Sequence, residues 1–198
     1  MTNAEIRESI ERWKMISRNG DELVKFFEQG NSFFYEVPDY LAGSEDVHIY
    51  PAIYKDRLVF LLIPSKFDSL EYSATISNYV RFSPAVWWHS NGTLSDKEAI
   101  KRMERWNSHY ETWVPKQAGT EHGIFLAFSI GSEDFKVPEC KINLALKENL
   151  EDPLGHATAD LVVTNKTETR VFFEDQAVPV PPFSASASAD SFYLLNMA

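Results

Sequence analysis

The sequence predicts an α+β fold, with mainly antiparallel sheet or sheets and two or three helices, and three observations carry that reading. Ile6, Ile10 and Trp13 recur at helical spacing between charged residues at the N-terminus. A second helical pattern runs from Ser95 to Pro115, and most of the remaining apolar residues lie in short β-favouring runs bounded by turn residues. At 198 residues and 44% hydrophobic composition, such a chain buries roughly 70% of its unfolded surface and supports a core without staples.

The first helix covers the N-terminal stretch and ends at Asn19-Gly20. Asp21 is placed to cap a second, short helix through Phe26 and Phe27, with Gly30 as its stop. Asn31 to Val37 is aromatic and strand-like, and Pro38 closes it. Val47 to Tyr54 and Arg57 to Ile63 flank Lys55-Asp56, a two-residue hairpin turn that lacks the Gly or Asn a type I′ turn prefers. Leu58 to Ile63 is apolar on both faces, so it belongs in the centre of a covered sheet. A weaker strand pattern spans Tyr72 to Trp88, broken at Pro84 and ending at the turn Ser90-Asn91-Gly92.

Ser95 and Glu98 form an S-x-x-E capping box, and Ile100, Met103, Trp106, Tyr110 and Trp113 then share one helical face until Pro115 stops the pattern. Strand-like runs follow at Gly123 to Ile130, Lys141 to Lys147, Asp160 to Thr164 and Arg170 to Glu174. In the second of these, Ile142, Leu144 and Leu146 alternate with Lys141, Asn143 and Lys147, the period of a strand with one wet face. The tail carries Pro179, Pro181 and Pro182 and the Ser/Ala run Ser184 to Ala189, the composition of an extended linker. Phe192 to Leu195 is apolar enough to dock back.

Three echoes suggest an internal duplication. Gly43-Ser44-Glu45-Asp46 recurs as Gly131-Ser132-Glu133-Asp134, Glu11-Arg12-Trp13 recurs as Glu104-Arg105-Trp106, and Arg57 to Leu62 resembles Lys141 to Leu146. The halves are then residues 1–92 and 93–178, followed by the tail 179–198, in one domain rather than two independent ones.

A net charge of −10 without a basic stripe argues against nucleic acid as a partner. The longest apolar run, Leu58 to Ile63, is too short to cross a bilayer, and the charged N-terminus is no signal peptide. With Cys140 as the single cysteine, the expected setting is cytoplasmic and reducing. The expected partner is a small molecule or a protein.

No phosphate-binding glycine loop, zinc-protease, nucleophile-elbow or paired C-x-x-C motif is present. Asp46 and His48 stand two residues apart on one face of a strand and can share a metal or a proton, with Tyr50 and Tyr54 continuing that face as aromatic walls. Trp87, Trp88 and His89, with Arg81 upstream, concentrate stacking surface and cations. Cys140 lacks a neighbouring positive charge and reads as a buried small hydrophobe. No spacing collects metal ligands, so neither metal nor cofactor is expected. The leading functional expectation is a non-catalytic binding or protein-interaction module with an aromatic-lined groove. The alternative is a small-molecule hydrolase or transferase that uses the Asp46/His48 pair with Arg81 or His89.

Overall fold

Thr2 starts the first helix, α1 (Asn3–Ile16), through a reciprocal capping box in which its hydroxyl accepts from the Glu5 amide and the Glu5 carboxylate accepts from the Thr2 amide. Asn19 does not end that helix alone. Its side chain caps α2 (Gly20–Phe27), accepting from the Glu22 amide, so Asp21 sits in the first turn instead of at the cap. The computed structural model describes residues 1–88, 97–148, 157–174, 177–181 and 191–198.

The chain continues through β1 (Ser32–Glu36), β2 (Asp46–Tyr54), β3 (Arg57–Pro64), β4 (Arg81–Pro84) and α3 (Lys97–Ala118). It then forms β5 (Ala127–Gly131), β6 (Glu139–Glu148), β7 (Ala157–Lys166), β8 (Val171–Glu174), β9 (Val178–Val180) and α4 (Tyr193–Met197). Two antiparallel sheets result, ordered β1-β6-β7-β8 and β4-β3-β2-β5-β9, which gives the expected α+β fold. The β2–β3 hairpin turns at Lys55 and Asp56, with φ of 49° and 60°, both in the left-handed region.

The sheets face one another across a core in which the rings of Phe33 and Phe60 stack at 3.8 Å. Strand β3 is buried on both faces, as its sequence requires: Leu58, Phe60 and Leu62 enter the inter-sheet core, while Val59, Leu61 and Ile63 meet α1 and the C-terminal segment on the outer face. Strand β6 departs from the one-wet-face expectation because α3 lies over it. Ala145 packs with Ala99 and Met103, and Asn143 is buried.

The weak strand pattern from Tyr72 to Trp88 is largely not a strand. Residues 65–80 wind through three short 3-10 turns, and only Arg81–Pro84 joins a sheet. Pro115 is inside α3 rather than at its end, in the last turn, where it withholds the amide that would otherwise donate to the Glu111 carbonyl. Its ring backs onto Gly20, where an added Cβ would meet Pro115 Cα at 2.5 Å. The Pro179 stretch is no linker, since Val178–Val180 pairs with β5. Asn91-Gly92, Ser95 and Ser184 to Ala189 lie outside the described residues. The terminal segment does dock back, burying Phe192, Leu194 and Leu195.

Strand β1 joins the sheet of β6, β7 and β8, and β5 joins the sheet of β4, β3 and β2. The chain runs α1, α2, β1 and the meander β2-β3-β4, then α3, β5 and the meander β6-β7-β8, with α2 present only in the first series and with β1 paired to β6 and β5 to β2. Ile6, Ile10 and Ala52 pack in one outer cluster and Ala99, Met103 and Ala145, 93 residues later, in another, while Trp13 and Trp106 both enter the inter-sheet core. The two Gly-Ser-Glu-Asp words meet in space: Asp46 pairs with Gly131, and the Ser132 hydroxyl donates to the Ser44 carbonyl at 2.7 Å. The third echo joins β3 to β6, which are not counterparts in this topology.

Candidate functional site

His48 projects from the outer face of β2, between Ile63 of β3 and Ser129 of β5. Its hydrogen-bond partner is Asp68, not Asp46: Nδ1 and the Asp68 Oδ2 are 2.6 Å apart. The Tyr50 hydroxyl donates to the same carboxylate oxygen, and the Leu194 amide donates to Oδ1 at 3.1 Å. A carboxylate acceptor places the imidazole proton on Nδ1, so a neutral ring keeps its lone pair on Nε2. Phe192 lies over the His48 ring at 4.2 Å. The cluster is sealed, with exposures of 4% for His48, 3% for Asp68 and 0% for both Tyr50 and Phe192. Burial and the adjacent carboxylate hold the Tyr50 phenol well above its ordinary pKa, so it stays a donor.

The other candidates lie elsewhere. Asp46 starts β2, partly exposed, with its amide bonded to the Ser65 hydroxyl. Tyr54 shares the outer face with His48 and Tyr50, but its hydroxyl donates to Glu5 Oε1 at 2.9 Å. Arg81 pairs in register with Leu62, which pairs with Ile49, so its side chain leaves the sheet on the face opposite His48. Trp87 donates its indole N–H to the Glu28 carbonyl, and the Trp88 ring carries the Lys141 ammonium at 3.0 Å from its centre. Desolvation lowers the Lys141 amine to about 8. His89 lies outside the described residues. Cys140 is buried against the Asn165 amide oxygen, and desolvation pushes its thiol up to about 11, far from a reactive thiolate.

Arg81 joins an aromatic group not recognised in the sequence. Its guanidinium lies over Tyr40, whose ring packs edge-on to Phe67 and Tyr79, and those two stack at 3.9 Å. Phe67 precedes Asp68, so one short turn sends an aromatic ring outward and a carboxylate inward to His48. These rings pack against one another.

An open recess lies at the other sheet. Between the first turn of α3 and the edge strand β8 lies an open groove of about 770 Å³. Phe172 forms its wall, with Lys136 Nζ and the Arg170 guanidinium each 5.5 Å from its ring centre. Phe173 lines it too, and Lys97 and Glu98 form the opposite rim. Among the described residues, Lys136 is paired with Glu174, and Glu98 with Arg102, which also pairs with Asp160; Lys97 and Arg170 bring two further positive charges to the groove. The sequence signal for this site is slight: Arg170-Val-Phe-Phe-Glu reads as an ordinary strand, and Lys136 lies 34 residues earlier.

Among the described residues, no three His, Cys, Asp or Glu side chains stand close enough to hold a metal ion, and no helix is long and apolar enough to cross a membrane. No protein-family model, no curated protein and no solved structure matches the chain.

Proposed function

We propose that the protein is a non-catalytic binding protein that takes an extended acidic peptide segment in the groove between α3 and β8. The observation that carries this reading is Phe172 flanked by Lys136 and Arg170 on a strand paired on one side only. An edge strand offers backbone donors and acceptors to an added strand, and phenylalanine walls supply contact area. Cations concentrated on a chain of net charge −10 select for negative side chains. The volume falls within the range of about 300–1,000 Å³ usual for ligand sites. A cytoplasmic setting, with neither nucleic acid nor membrane as partner, accords with the acidic, single-cysteine composition.

The matched elements at an offset of 93 residues support an origin of the body in a duplicated helix-and-four-strand unit. On that reading, residues 1–92 and 93–178 interlock as one domain because their first strands are exchanged.

The alternative, a hydrolase or transferase using His48, has the 2.6 Å contact to Asp68 in its favour. Burial weighs against it, because a general base must reach a substrate proton and Phe192 covers the imidazole.

Fluorescence anisotropy with a labelled eight-residue peptide of alternating Glu and Val tests the proposal. Binding that weakens at least tenfold in Arg170→Glu, and falls steeply with added salt, is the expected result. Equal binding by wild type, Arg170→Glu and Lys97→Glu overturns it. Full competition by benzoate or phosphate alone would replace the peptide with a small anion.

A further inference from the structure

The outer face of the β4-β3-β2-β5-β9 sheet holds a second recess, already filled. Its floor is Tyr50, Ala52, Leu61 and Ile63, one wall is α1, and the other is the 65–80 segment that carries Asp68 and Ile76. The occupant is the chain's own residues 191–198, joined to the body by the sequence Pro-Phe-Ser-Ala-Ser-Ala-Ser-Ala-Asp. The contacts are of the kind that recognises a peptide. Phe192 stacks on His48, the Leu194 side chain is fully buried and its amide donates to Asp68, and Leu195 is buried beside it. Lys14 on α1 donates to the carbonyls of Leu195 and Ala198 at 3.1 and 2.8 Å.

Three features separate this arrangement from ordinary core packing. Asp68, 3% exposed, spends one oxygen on a main-chain amide of the segment and the other on His48 and Tyr50, so the floor is organised around a bound backbone. The helix α4 has only five residues, too few to be stable alone, and owes its form to the recess. The outer face of the other sheet has no such terminal segment among the described residues: α3 covers it through Ala99 and Met103, which pack on Ala145 and Val162, with Trp88, Ile100 and Phe173 around them.

We infer that the recess above His48 is a peptide-binding site, and that the C-terminal segment is a self-ligand which a second segment of the same chemistry displaces. That chemistry is an aromatic residue followed, two and three positions on, by Leu-Leu or similar aliphatic residues. The aromatic ring stacks on imidazole, the first aliphatic residue supplies the amide for Asp68, and Lys14 takes the final carbonyls. The site is distinct from the groove beside β8, and either can fail without the other.

The test uses the full chain and a labelled synthetic peptide of residues 191–198. Wild type, whose recess is filled, is expected to bind it weakly, and Phe192→Ala full-length protein at least ten times more tightly. A scrambled peptide should bind neither. Circular dichroism establishes whether Phe192→Ala remains folded; if it does not, Leu195→Ala, which weakens the segment's hold at its less buried aliphatic position and leaves the recess itself unaltered, is the deciding variant. Should the folded variant bind the native peptide no better than wild type does, or bind the scrambled peptide equally well, the inference is overturned.

Discussion

His48 and Asp68, twenty residues apart in sequence, meet at 2.6 Å beneath the ring of Phe192, and the carboxylate also accepts from the Tyr50 hydroxyl and the Leu194 amide. One buried side chain thus joins β2, the 65–80 segment and the C-terminus. Replacing it isolates three donors at once. Asp68→Ala should lower unfolding stability by about 3 kcal/mol, since each buried donor left without an acceptor costs roughly 1–3 kcal/mol. Urea unfolding followed by tryptophan fluorescence measures it, and a loss under about 1 kcal/mol would show that the cluster contributes no more than one ordinary hydrogen bond.

Lys141 gives a signed pH dependence. Its amine titrates near 8 in the folded chain because desolvation disfavours the charged form, against 10.5 for an unperturbed lysine. Between those values the unfolded chain holds a proton that the folded chain has released, so this group's contribution to stability rises with pH across the window. The difference in stability between wild type and Lys141→Met should therefore move in favour of wild type from pH 8 to pH 10.5. A flat difference would mean that the amine is solvated.

The hairpin at Lys55-Asp56 has two residues at positive φ where neither is glycine. Lys55→Asn with Asp56→Gly supplies the residues such a turn favours and should stabilise the protein by about 1 kcal/mol, given roughly 1–2 kcal/mol per ordinary residue held in the left-handed region. Thermal unfolding checks this, and an unchanged midpoint would contradict it.

Gly20 and Pro115 form a close contact between α2 and α3. A Cβ on residue 20 would approach Pro115 Cα at 2.5 Å, so Gly20→Ala should destabilise the chain even though alanine is the better helix former. An overpacking cost of about 1–3 kcal/mol is expected. If Gly20→Ala is neutral or stabilising, the helices are free to separate.

The strands and helices that periodicity marks most strongly were legible in the sequence. Alternation and apolar runs place β2, β3 and β6, and the 3.6-residue recurrence of Met103, Trp106, Tyr110 and Trp113 places α3 and its buried face. Where two elements cover one another, the local pattern misleads: Lys141, Asn143 and Lys147 mark a wet face on β6, yet α3 closes its middle. The 65–80 segment misled for another reason. Tyr72, Tyr79 and Phe82 are β-favouring, but the first two are spent on mutual aromatic packing with Phe67.

At the candidate site, His48 and Tyr50 were legible because they share a strand face, whereas Asp68 was not, since no local spacing links a carboxylate to an imidazole across a hairpin and a turn. Trp88 is aromatic surface in the sequence, and the fold spends it on Lys141. The groove beside β8 depends on the sheet order, which brings Lys136 and Arg170 each to the ring of Phe172, and sheet order is a long-range property.

The most direct test of the binding reading is amide chemical-shift mapping of the ¹⁵N-labelled full chain titrated with the alternating Glu/Val peptide. The account predicts the largest shifts at Val171 to Glu174, Lys136 and Lys97, with the amides of β2 and β3 unmoved. Shifts confined to other surfaces, or none at millimolar peptide, would contradict it.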